Sequence, residues 1–70
     1  MTIADEWSKR LNEQGVKMED RYSVSQYAAT NLAELWAETS SMIAQGREAE
    51  IPESIVKAYD AVLEKWRLTI

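Results

Sequence analysis

Apolar residues recur along this chain at spacings of three and four, and each stretch with that period is bracketed by residues that begin or end helices. Ile3, Trp7 and Leu11 fall four apart. Thr2 precedes them with Asp5 three positions on, the reciprocal cap in which each side chain satisfies a free backbone donor. Gly15 is a natural residue just past a helix end, and Val16 is placed to close a C-terminal motif against Leu11. The pattern predicts a first helix over residues 3–14. A second register stays open: Met18 and Tyr22 share its face if the helix runs on through Gly15, against a cost of roughly 1 kcal/mol for an interior glycine.

Ser23 with Gln26 three positions later repeats the capping pattern. Val24, Ala28, Leu32, Leu35, Trp36, Thr39, Met42 and Ile43 follow, and Gly46 closes the run. This predicts a second helix over residues 24–45. Pro52 then sits where a first helical turn tolerates it, with Glu50 and Glu53 near the positive end of the helix dipole and Lys65 and Arg67 near the negative end. The third helix is expected over 52–67. Its apolar residues Ile55, Val56, Tyr59, Val62, Leu63 and Trp66 fill an arc of about 120°, the ordinary width of one buried face. Leu68 and Ile70 beyond it are expected to fold back on the core. No strand pattern interrupts the sequence, so the expected fold is an all-α bundle of three helices in one domain, residues 1–70, with the second helix longest and most buried.

The second helix is the most informative segment, because its only charges are Glu34 and Glu38. At about 100° per residue its large side chains Val24, Leu32, Leu35, Trp36, Met42 and Ile43 share one arc of about 120°. Beside that arc runs a row of small residues, Ala29, Ala33, Ala37, Ser40 and Ala44, leaving Thr30, Glu34, Glu38, Ser41 and Gln45 to face water. Small side chains let another backbone approach closely. Ala29, Ala33, Trp36, Ala37, Ser40 and Ala44 are therefore the candidate partner interface, with Trp36 on the boundary where an aromatic can anchor a partner. A middle helix also needs a wide apolar arc to touch two neighbours in its own chain, so use within the chain and between chains both stay open. Trp7 and Trp66 read as core.

Composition narrows the chemistry. The chain has 70 residues, 8 Lys and Arg against 12 Asp and Glu for a net charge of −4, and no His or Cys. Disulfides, zinc fingers, iron–sulfur ligation, thiol nucleophiles and imidazole bases are thereby excluded. No Gly-x-Ser-x-Gly, Ser-x-x-Lys or Gly-rich phosphate loop occurs, and no EF-hand spacing. The adjacent acids Asp5–Glu6 and Glu19–Asp20 read as solvated surface, and Glu53–Lys57 and Glu64–Arg67 as surface pairs worth a few tenths of a kcal/mol. The expectation is no enzyme, no cofactor, no metal and no small-molecule substrate. Acids at positions 5 and 6 stand where an export signal carries bases, and no run approaches the ~20 apolar residues that span a bilayer, so a cytoplasmic protein without membrane attachment is expected.

A core this small supplies roughly 3–5 kcal/mol unless a staple helps. With disulfides and metals excluded, self-association or a partner chain is the remaining staple. The expected function is a non-catalytic interaction module, an adaptor, regulatory or inhibitor subunit, self-associating as a homodimer through the second helix or meeting a partner with a helical or basic surface. The stretch Glu19-Asp20-Arg21-Tyr22-Ser23-Val24-Ser25-Gln26-Tyr27 resembles the turn and start of the recognition helix in helix-turn-helix regulators, departing from them at Ser23, where glycine is common. That resemblance implies a DNA-binding regulator using residues 19–31, with Gln26, Thr30 and Asn31 reading bases. DNA affinity comes largely from neutralised phosphates, and this segment has no Lys or Arg beyond Arg21, so nucleic acid stands as the alternative partner.

Overall fold

A computed structural model describes residues 2–68, without the side chains of Arg67 and Leu68. It is helical, with α1 at Ile3–Glu13, α2 at Met18–Val24, α3 at Gln26–Thr30, α4 at Leu32–Ala44, a 3-10 turn at Glu48–Glu50 and α5 at Glu53–Leu68. The anticipated foldback of Leu68 and Ile70 and the Glu64–Arg67 pair lie outside the described residues.

Local chemistry sets the ends of α1. The Thr2 hydroxyl accepts the Asp5 N–H at 3.2 Å while the Asp5 carboxylate accepts the Thr2 N–H at 3.3 Å, the expected reciprocal cap. At the other end Gly15 adopts φ 66, in the left-handed region that side chains avoid. Its N–H donates to the Asn12 carbonyl at 3.1 Å, and the Val16 N–H donates to the Leu11 carbonyl at 3.0 Å. The helix therefore stops at Gly15, and Met18 and Tyr22 belong to a separate element, α2. There the Asp20 carboxylate accepts the Lys17 N–H at 3.0 Å.

The expected helix over 24–45 is interrupted twice. Ser25 (φ −170, ψ 161) and Asn31 (φ −140, ψ 113) have extended backbone. Ser25 Oγ accepts the Ala28 N–H at 2.9 Å, and Asn31 Oδ1 accepts the N–H groups of Ala33 at 2.9 Å and Glu34 at 3.2 Å. Short polar side chains of this kind offer the backbone an alternative to helix continuation, and both positions take it. Ser23, the anticipated cap, instead donates its hydroxyl to the Asp20 carbonyl at 2.7 Å, inside α2. The described residues thus form five α-helices in place of a simple three-helix bundle. α4 ends as α1 does: Gly46 at φ 75, with Arg47 N–H to the Met42 carbonyl at 2.8 Å and Gly46 N–H to the Ile43 carbonyl at 3.0 Å. The Pro52 carbonyl, one residue ahead of α5, accepts the N–H groups of Ile55 and Val56 at 3.0 and 3.2 Å.

α1 packs chiefly on α5, and α2, α3 and α4 pack in sequence on one another. Trp7 and Leu11 from α1, Ala28 from α3, Leu35 and Met42 from α4, and Ile55, Ala58, Tyr59 and Val62 from α5 form the core, closed below by Ile51. α5 buries the single face anticipated for it, with Val56, Leu63 and Trp66 at its margins. At the centre the Trp7 and Trp36 rings meet edge to face at 5.1 Å and Trp36 lies 4.4 Å from Tyr59. The buried Trp7 indole donates to the Leu32 carbonyl at 3.1 Å, so its polar end is satisfied. The radius of gyration, 11.2 Å, matches the roughly 11 Å of a compact chain this long.

Candidate interaction surface

The six residues singled out as a partner interface separate into two groups. Ala29 is buried on α3, and Trp36 and Ser40 are half-buried on α4. Trp36 belongs to the aromatic cluster, and Ser40 Oγ donates to the Tyr59 hydroxyl at 3.0 Å. Ala33, Ala37 and Ala44 are exposed. At about 100° per residue they fall within roughly 40° of one another, so they form one row along the outside of α4. Their own chain does not cover them. Of the two uses left open for this stripe, packing within the chain accounts for Ala29, Trp36 and Ser40 and leaves the other three uncovered.

That row is bordered by polar groups without a strong field. Glu34, Ser41 and Gln45 are exposed as anticipated, Gln45 donating its amide to Ser41 Oγ at 3.0 Å, while Glu38 is half-buried. Large apolar and aromatic side chains are exposed on α2 and α3 as well. Met18 and Tyr22 on α2 are 53% and 52% exposed, and Tyr27 on α3 is 80% exposed. Met18 and Tyr22 are four apart, hence on one face of α2, none of whose residues is fully buried. Tyr27 is turned outward because Ala28 and Ala29 occupy the inward edge of its short helix. The signal that could have found it was present: Ser25 and Asn31 are both N-cap residue types, six apart.

One acid read as solvated surface is in the core. Glu6 is completely buried, with Arg10 Nε 2.8 Å from one carboxylate oxygen and Lys65 Nζ 2.9 Å from the other. The hydrogen bond from Lys65, aided by Arg10, holds the Glu6 carboxyl below its ordinary range against the opposing effect of burial. Arg10 also bridges to Glu13 at 2.9 Å. An open cleft of about 470 Å³ lined by Arg10, Ala61, Glu64 and Lys65 lies alongside. Its charges are mixed, and both cations are engaged by Glu6, so it has no field of one sign to select a ligand. A second cleft, about 320 Å³, is lined by Glu48, Ala49, Ile51, Glu53 and Val56. Glu53 pairs with Lys57 at 3.2 Å across an exposed helix surface, as anticipated.

Among the described residues no three acids converge as a metal site would require, and no helix is long and apolar enough to cross a membrane. The residues that would read DNA bases are exposed, but Asn31 spends its side-chain oxygen on capping α4 and α3 has five residues and no cation. Arg21, the last cation before Arg47, is half-buried, with its Nε out of solvent and without a hydrogen-bond partner among the described residues. No protein-family model matches the chain, and comparison with curated proteins and with solved structures finds no match.

Proposed function

We propose that this chain is a non-catalytic helical interaction module, an adaptor, regulatory or inhibitor subunit, that self-associates through the outer face of α4. The observation that carries the reading is the exposed row Ala33, Ala37 and Ala44 in a segment whose only charges are Glu34 and Glu38. A row of small side chains brings a second backbone close, and two copies of a −4 chain meet there without setting a dense band of acids against its like. Trp36 and Ser40, held from beneath by Tyr59, keep the helix in place as a rigid platform. The need is physical as well, since a core of this size is stabilised by association. Lacking cysteine, the chain gains nothing from an oxidising compartment, and the cytoplasm is the proposed place of action.

Sedimentation equilibrium at micromolar concentrations tests this. The wild-type chain is expected to be dimeric, and Ala37→Glu, which sets two carboxylates against each other across the contact, is expected to be monomeric with an unchanged helical circular dichroism spectrum. A stable wild-type monomer discards self-association and leaves a partner with a helical or basic surface as the proposed ligand.

A further inference from the structure

We infer that α2 opens as a unit of its own while the rest of the fold stays closed, and that this opening makes the Lys17–Met18 and Arg21–Tyr22 bonds the entry site for a protease that cuts after basic residues. The inference goes beyond self-association and rests on how α2 is attached. None of its seven residues is fully buried, and among the described residues only Val24 of this helix packs against the core cluster. A helix of this length falls below the roughly 12–15 residues that an isolated helix needs in water, so α2 keeps its form by docking. That docking is thin. Among the described residues, neither Lys17 at its cap nor Glu19, Asp20 or Arg21 makes an ion pair. The side-chain hydrogen bond that reaches α2 from α5, Ser54 Oγ to the Asp20 carboxylate, is long at 3.5 Å. Arg21 Nε, desolvated without a partner among the described residues, recovers water when the helix lifts.

Neither neighbour loses its end when α2 leaves. The closure of α1 is complete at Val16, whose N–H bonds to the Leu11 carbonyl, and the cap of α3 begins at Ser25, whose hydroxyl oxygen accepts the Ala28 N–H. Residues 17–24 lie between these two self-contained terminations. The other cleavable bonds are better held. Those after Lys9 and Arg10 lie in α1, which is anchored by Trp7 and Leu11, and the bond after Lys57 leads to the buried Ala58. Arg47 grips the Glu50 carboxylate through two nitrogens at 2.9 and 3.1 Å, just ahead of the buried Ile51. A protease takes its substrate in extended form, so these bonds wait for global unfolding and those of α2 only for local opening. Hydrolysis adds one water across the peptide bond, leaving a new carboxylate on Lys17 or Arg21 and a new amine on Met18 or Tyr22.

The test applies brief trypsin treatment, read by mass spectrometry, and amide hydrogen exchange, read by NMR, to the full wild-type chain and to Val62→Ala. Of the bonds after Lys9, Arg10, Lys17, Arg21, Arg47 and Lys57, trypsin is expected to cut first after Lys17 or Arg21. The hydrogen-bonded amides of α2 are expected to exchange about a hundredfold faster than those of α5, and to respond less steeply to sub-denaturing urea, because local opening exposes less surface. Val62 is 1% exposed on α5, so truncating it weakens the closed and the α2-open forms alike and favours only global unfolding. Exchange in α5 is expected to rise about tenfold in Val62→Ala, while α2 exchange and the rate of the α2 cut stay at the wild-type values. A first cut at any other of these bonds overturns the inference. So does exchange of α2 and α5 that rises together in the variant or shares one urea dependence in the wild type, the latter comparison standing even if Val62→Ala fails to fold.

Discussion

Thr39 shows how a single atom can leave stability unrealised. It is completely buried on α4, and its hydroxyl oxygen has no hydrogen-bond partner among the described residues. A desolvated hydroxyl without a partner costs free energy, whereas a methyl group of the same shape at that position costs none. Thr39→Val is therefore expected to stabilise the fold by about 1 kcal/mol, read as a higher urea midpoint with an unchanged slope. Two of the tryptophans make the opposite point. Trp7 and Trp36 sit on stripes that were visible as periodicity, and both reach the aromatic cluster. The boundary position of Trp36 was equally visible, but the ring it meets, Tyr59, is contributed by a helix distant in sequence, and no local pattern announces that pairing.

Helix ends decide what the elements become. Ser25→Ala and Asn31→Ala are each expected to destabilise the protein by about 1 kcal/mol, measured by chemical denaturation, because each removes a side-chain acceptor from a first-turn N–H. In an unbroken helix the same substitutions would stabilise, alanine being the better helix former, so the sign of the change reports directly on the interruption. The termini at Thr2, Gly15 and Gly46 were legible because each depends on residues within six positions: a reciprocal cap, or a glycine whose left-handed φ closes a carbonyl bond. The breaks at Ser25 and Asn31 were less legible. Both residues lie within a continuous apolar period, and at that range the stronger periodic signal conceals the cap. The alanine row reads as one stripe only along an unbroken helix; its division between α3 and α4, with Ala29 inward and Ala33 outward, follows from the break at Asn31. The outward turn of Tyr27 follows from the same breaks.

Across the whole molecule one ion cluster ties α1 to α5. Glu6 is held ionised by Lys65 and Arg10, so its folded carboxyl has a lower pKa than in the unfolded chain. The unfolded state consequently binds the proton first, and the stabilisation, present above the ordinary glutamate value near 4.5, is lost as the pH falls below it. Urea midpoints are expected to fall with acidification in that window for the wild type and to change less for Glu6→Gln. Glu50→Gln serves as the control. Arg47 also lowers the Glu50 carboxyl, but both members of that pair are about half exposed and solvent screens them, so its curve is expected to follow the wild type. Glu6 and Lys65 are 59 positions apart in the chain. A polypeptide emerging from the ribosome thus carries α1 with a core-facing carboxylate still lacking one of its two cations until α5 has followed it out. Completion of this packing waits on α5, and α1 must remain solvated or shielded in the interval.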